Sequence, residues 1–291
     1  MTEAHTKTLA VDGAVLTYDL HGDPTSAVPL LVLGSPMQAS FFGPLVAELG
    51  DRPVITLDFR GTDRSRRDDP STVVTPEEHA ADLHLVATEL GLAEVDAFAT
   101  SGAAVNCLAW VEAGGPIRTL VAHEGPILSV LPDREQATAA WRRILDAYDA
   151  DGLGAGMARF LQLVMHEGPI TEADVSAPTP DPAMFGLPTT DDGDRTDPLL
   201  GQFRPCTFWE PNPAALRDAD TRIVIGVGEQ SRDTLPGRSA LAQAELLGLE
   251  PTWFPAGHDG FLPPNEHGMG GDPVAFGARL REVLASSVTA G

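Results

Sequence analysis

The chain has 291 residues, 43% of them apolar, a length and composition that fit one catalytic-sized domain with an insertion. It carries 42 acidic against 19 basic residues, a formal net charge of −23, and that field excludes phosphate backbones and anionic lipid as expected partners. No apolar run approaches the roughly 20 residues of a membrane span, residues 1–7 are polar with no signal-peptide core, and Cys107 and Cys206 are too few for a disulfide framework, so a cytoplasmic protein with reduced thiols is expected.

Short alternating runs at 8–11 and 15–19 flank Asp12-Gly13, a hairpin signal. An apolar run at 30–33 stops at Gly34-Ser35-Pro36, and 41–49 reads as a helix. Residues 54–57 form the next buried strand, ended by Asp58. Thr75-Pro76-Glu77-Glu78 is a capping box with proline at the first helical position, opening a helix to about Leu90. A strand at 95–99, a helix at 102–113 and a strand at 119–122 follow. This alternation predicts an α/β fold with a mostly parallel sheet of about eight strands and helices on both faces.

The alternation breaks from 129 to 218, which is expected to be a helical lid inserted into a core made of 1–128 and 219–291. Helix-like segments at 134–148 and 152–164 lead into 178–198, whose five prolines and five aspartates predict a mobile loop. A substrate pocket is expected between the sheet edge and this insertion, with Phe160, Leu163, Phe203, Phe208 and Trp209 as candidate lid-side apolar residues, although lid core is the commoner fate of such side chains. Strands at 222–227 and 252–254, with helices at 239–247 and 273–285, complete the chain.

The segment 95–104 carries the chemistry: a strand ends at Ser101, with small residues on both sides, before a helix begins. A serine there is also a favoured helix cap. In sequence with three further signals it resembles the nucleophile elbow, G-x-S-x-G, of the α/β-hydrolase fold family, with Ala99 and Ala103 in place of the glycines. Leu33-Gly34-Ser35-Pro36 stands where that family has its His-Gly turn after the third strand. Asp58-Phe59-Arg60-Gly61-Thr62-Asp63-Arg64-Ser65 is similar to its D-x-R-G-x-G-x-S segment, which is structural. Phe254-Pro255-Ala256-Gly257-His258 resembles its last-strand loop with the catalytic histidine.

The resemblance implies Ser101 as nucleophile and His258 as base, with an oxyanion hole from the Gly102 N–H and one N–H of the 33–37 turn. Pro36 has no N–H, which leaves Ser35 or Met37, and Ser35 is favoured. The acid is open among Glu124, Glu229 and Asp233. The family's usual position holds Ser231, while Glu124 follows the strand after the nucleophile helix, where some branches place their carboxylate, and it is preferred. The implied reaction is hydrolysis of a small to medium, largely uncharged ester or lactone through an acyl-serine. No metal or cofactor is expected, since no dinucleotide fingerprint, phosphate loop or metal-spaced cluster is present. The expected partner is a small-molecule substrate, with a homodimer left open. A cofactor-free dioxygenase or lyase and a catalytically silent binding protein are the alternatives on the same scaffold.

Overall fold

The computed structural model describes residues 4–265 and 270–286. The chain opens with an antiparallel hairpin, β1 (His5–Val11) and β2 (Ala14–His21), turned by Gly13 at φ 69°. Then come β3 (Leu30–Ser35), α1 (Gly43–Ala47), β4 (Val54–Asp58), β5 (Arg66–Arg67), α2 (Pro76–Glu89), β6 (Val95–Ser101), α3 (Gly102–Glu112) and β7 (Ile117–His123). Between β7 and the next strand lie α4 (Arg134–Asp151), α5 (Leu153–Val164), α6 (Glu172–Ser176) and α7 (Pro213–Asp218). The chain returns to the sheet as β8 (Arg222–Gly228), α8 (Leu235–Leu247), β9 (Thr252–Phe254) and α9 (Pro273–Ala285).

The strands lie in the order β1-β2-β4-β3-β6-β7-β8-β9, with β5 paired to β2. Every neighbouring pair from β4 to β9 is parallel. The sheet thus has nine strands among the described residues. The extra one, β5, is a two-residue antiparallel pairing of Arg66 and Arg67 with Val15 and Ala14, too short to leave a periodic trace. Two helix starts also differ from expectation. The segment read as a helix at 41–49 begins as a tight turn at Ala39–Phe42, and α8 begins at Leu235, four residues early, because Pro236 fits a first helical turn.

Alternation along the strands explains the layers. Leu30, Val32, Val54, Phe98, Val121 and Val224 face α1 and α9, while Leu31, Leu33, Ile55, Ala97, Leu120 and Ile225 face α2, α3 and α8. Both faces are covered, so the central strands read as apolar runs rather than as alternating ones. The Thr75 capping box forms as expected, with the Glu78 carboxylate accepting the Thr75 N–H at 3.0 Å. Asp63 stands at φ 43° where a glycine is usual in that segment, a conformation that aspartate tolerates better than most residues. Asp58, one element back, accepts the Ala39 N–H and bonds Arg64, which fixes the turn after β3 to the turn after β4.

The interval between β7 and β8 contributes no strand to the sheet among the described residues and has its own apolar cluster: Leu128, Leu131, Trp141, Ile144, Tyr148, Leu163, Ile170 and Leu200. Phe160 and Phe208 pack against that cluster, whereas Phe203 and Trp209 belong to the main core beneath. Within 178–198 the helical elements are the short turn Pro182–Phe185 and the first residue of the turn Pro198–Gln202, and Arg195 ties the stretch to the Asp149 carbonyl and the Tyr148 ring of α4.

Candidate active site

Ser101 is the last residue of β6 and stands at φ 57°, ψ −132° immediately before α3. This backbone is not the extended one of an ordinary helix cap, and the Ser101 hydroxyl makes no capping bond. Such strain in a non-glycine residue costs about 1–3 kcal/mol and persists only where the surroundings impose it. Here they do: Ala99 and Ala103 are fully buried on either side. A side chain at Gly102 would place its first carbon 2.8 Å from the Ser35 carbonyl oxygen and 3.3 Å from Cys206 Sγ. The elbow therefore needs glycine at 102 and tolerates alanine at the two outer positions. Ser35 ends β3, is buried, and is the register partner of Ser101 across the parallel β3–β6 pair.

The candidate acid Glu124 and the candidate base His258 meet at the same edge of the sheet. Glu124 leaves β7 at φ 50°, and its side chain is fully buried. Its Oε2 lies 2.7 Å from His258 Nδ1, and its Oε1 accepts the Gly228 N–H at 2.7 Å. Its own N–H donates to the Gly226 carbonyl at 3.2 Å. Both carboxylate oxygens are thus satisfied, as a buried charge requires. Burial alone would push the Glu124 carboxyl up, but the His258 hydrogen bond, the adjacent imidazoles and the Gly228 N–H together bring it down to about 2. For His258, burial disfavours the charged ring, and the Glu124 bond and charge, with Asp259, outweigh it and raise the imidazole above its usual value. A third of its side chain is exposed, so it faces both the protein and solvent.

The other carboxylates considered do not join this pair. Glu229 and Asp233 are exposed, and among the described residues Glu124 is the carboxylate bonded to His258. Ser231, in the usual acid position, is buried, and its carbonyl accepts from Thr234. Among the described residues no three His, Cys, Asp or Glu side chains are grouped as a metal site, and no helix is long and apolar enough to cross a membrane.

Solved structures carry the same architecture. A carboxylesterase from Bacillus subtilis superposes with a TM-score of 0.66 over 98% of this chain and 93% of that one, at 13% identity. An esterase from Thermogutta terrifontis gives 0.64 over 97% and 98%, at 19% identity. The chain has the α/β-hydrolase fold. A lactonase mutant complexed with N-hexanoyl homoserine shares this α/β-hydrolase fold, with a TM-score of 0.61, 14% identity and 99% of both chains covered. No protein-family model matches the chain, and no curated protein does.

Two residues near the site of this α/β-hydrolase fold escape sequence reasoning. Cys206, in the segment between β7 and β8, lies with Sγ 3.8 Å from the Gly102 carbonyl, and burial raises its thiol to about 12. Nothing local marks it, since the contact spans 104 positions. His123, fully buried at the end of β7, contacts Thr100 and the His258 ring. A histidine ending an apolar strand directly before the candidate acid is the signal that could have singled it out.

Proposed function

We propose that this protein hydrolyses a small to medium, largely uncharged carboxylic ester or lactone through an acyl-serine intermediate. The observation that carries the reading is the 2.7 Å bond between buried Glu124 and His258 Nδ1, at the sheet edge where Ser101 stands on a strained strand-to-helix turn. That the structures sharing the fold include a carboxylesterase, an esterase and a lactonase agrees with it.

In this mechanism Ser101 Oγ attacks the ester carbonyl carbon while His258 Nε2 takes the hydroxyl proton. Glu124 holds Nδ1 protonated and stabilises the imidazolium that forms. The N–H groups of Ser35 and Gly102 receive the oxyanion, with Gly102 at the positive end of α3. His258 then returns the proton to the leaving alcohol oxygen. Water, deprotonated by the same nitrogen, attacks the acyl carbon, and Ser101 leaves as the hydroxyl with the acid as product. No cofactor, nucleic acid or membrane takes part, and the cytoplasm suits two free cysteines. Residues 129–218, with their own apolar cluster, act as the cap over the core formed by 1–128 and 219–291. The net charge of −23 favours uncharged over anionic substrates.

The test pairs a fluorophosphonate probe with p-nitrophenyl esters of two to six carbons. Labelling of Ser101, located by peptide mass spectrometry, together with turnover that is lost in Ser101→Ala, supports the reading. Turnover that survives in folded Ser101→Ala removes the acyl-serine.

A further inference from the structure

Ser101 and Glu124 are two of the four non-glycine residues at positive φ among those described, and each is directly preceded by one half of a buried side-chain pair. Thr100 Oγ1 and His123 Nδ1 lie 3.0 Å apart. The two residues are also register partners across β6 and β7. One side-chain hydrogen bond therefore joins the two strands at their last regular position, where both backbones turn out of the sheet.

The surroundings of His123 keep that bond away from other polar partners. Its Nε2 is buried without a hydrogen-bond partner. Phe254, Phe261 and Phe276 stand nearly perpendicular to the ring at centroid distances of 5.6, 6.5 and 5.5 Å, and Phe98 closes the box at 5.9 Å. Burial in this box brings the ring down to about 4, so it is neutral near pH 7 and shares a single hydrogen with the Thr100 hydroxyl across the 3.0 Å contact. The same ring lies 6.2 Å from the His258 ring, at 25° to its plane. An apolar residue of similar size would fill this box, but it would not fix the spacing or twist of the two strand ends.

We propose that the Thr100–His123 pair is a positioning clamp that holds the Ser101 and Glu124 turns in mutual register, and through Glu124 orients His258. This rests on the acyl-serine reading for its kinetic consequence, though not for its structural one. His123 touches no reacting atom in that mechanism.

The experiment compares Thr100→Val, Thr100→Ser, His123→Leu and the Thr100→Val/His123→Leu double variant in the full chain, with active sites titrated by a fluorophosphonate. Thr100→Val should lower kcat per titrated site about tenfold or more with KM within about twofold, since only transition-state geometry is disturbed. Thr100→Ser, which keeps the hydroxyl, should recover most of the loss. The double variant should be no worse than the poorer single one, as members of one contact are not additive. A second readout needs no substrate: the low-field proton NMR signal of His258 Nδ1–H should shift or broaden in Thr100→Val and not in Thr100→Ser. Unchanged kcat and an unchanged proton signal in Thr100→Val, even with a lower Tm, would make the pair merely structural and overturn the clamp. If the native protein neither labels nor turns over, the acyl-serine reading fails, and the proton signal still decides whether the pair orients His258.

Discussion

Glu124 and His258 are separated by 134 positions in the chain and by 2.7 Å in space, and the same carboxylate binds the backbone N–H of Gly228. Topology makes this possible: β7 and β8 are parallel neighbours, β8 and β9 likewise, so the residues following all three reach one edge. In Glu124→Gln the amide oxygen would keep the Gly228 N–H, leaving the NH2 toward Nδ1. That forces the imidazole hydrogen onto Nε2, the nitrogen that accepts the Ser101 proton in the proposed mechanism. The fold should survive while kcat falls about 10³- to 10⁴-fold. Glu229→Gln and Asp233→Asn should stay within about twofold, because exposed carboxylates away from the imidazole act only through a screened field. Ester hydrolysis by the three purified variants checks this, and a strong loss in either exposed variant with little in Glu124→Gln would move the acid.

The pH profile follows from the raised His258 value. In the proposed mechanism the ring takes the Ser101 proton only when neutral, so kcat/KM should rise with pH through an apparent pKa above the ordinary 6.5 and then level off. Removing the negative charge lowers the imidazole, so the residual activity of Glu124→Gln should rise at lower pH than in the native enzyme. A limb at the same pH in both would show that Glu124 does not set the base.

Much of this arrangement was legible in the sequence because each part is marked locally. Ser101 sits between a strand and a helix among small residues, His258 follows a late strand, and the absence of a carboxylate at Ser231 directs attention to Glu124 at the end of an apolar strand. The strand alternation likewise announces the two-faced sheet. β5 left no trace because two residues have no period. The His123 box was illegible because it gathers Phe98, Phe254, Phe261 and Phe276 from four places along the chain. Phe203 and Trp209 looked like lid residues by position. Phe203 packs edge-on to His79, and Trp209 donates its indole N–H to Glu77, so both belong to the core beneath.

Gly102→Ala should separate packing from chemistry. The added carbon meets the Ser35 carbonyl oxygen at 2.8 Å, a backbone atom that can yield only if β3 or α3 shifts. Overpacking of this kind costs about 1–3 kcal/mol, and the shift displaces both proposed oxyanion donors at once. Thermal denaturation should show the destabilisation, while kcat should fall about 10²-fold or more, the loss typical of one missing oxyanion donor. Cys206→Ala relieves only the 3.3 Å contact and should not rescue it. Full activity in Gly102→Ala would mean that the 102 N–H is not needed where it stands.

Acid should destabilise the fold through two buried histidines before it reaches most carboxylates. Burial drives His79 down to about 3 and His123 down to about 4, both well below the ordinary 6.5. His79 sits edge-on to Phe59 and Phe203 with Arg60 and Arg67 adding repulsion, so its ring is folded in as the neutral form. Below pH 6.5 the unfolded chain binds protons at both histidines and the folded chain does not. Stability therefore falls with pH at up to about 1.4 kcal/mol per unit for each histidine, toward pH 4 for His123 and pH 3 for His79. Glu124 adds to the loss only below 4.5, where the unfolded carboxyl takes a proton that the folded one, at about 2, refuses. His258, raised in the fold, acts in the opposite sense and stabilises most at acid pH. Acidification also relieves the self-repulsion of a chain with net charge −23, which flattens the native curve. The comparison that isolates the histidine is His79→Phe, which keeps a ring between Phe59 and Phe203 and cannot titrate. Urea unfolding at pH 7.0, 5.5 and 4.5 should show a shallower loss in this variant than in the native protein. Parallel curves would show that His79 takes up its proton without cost to the fold.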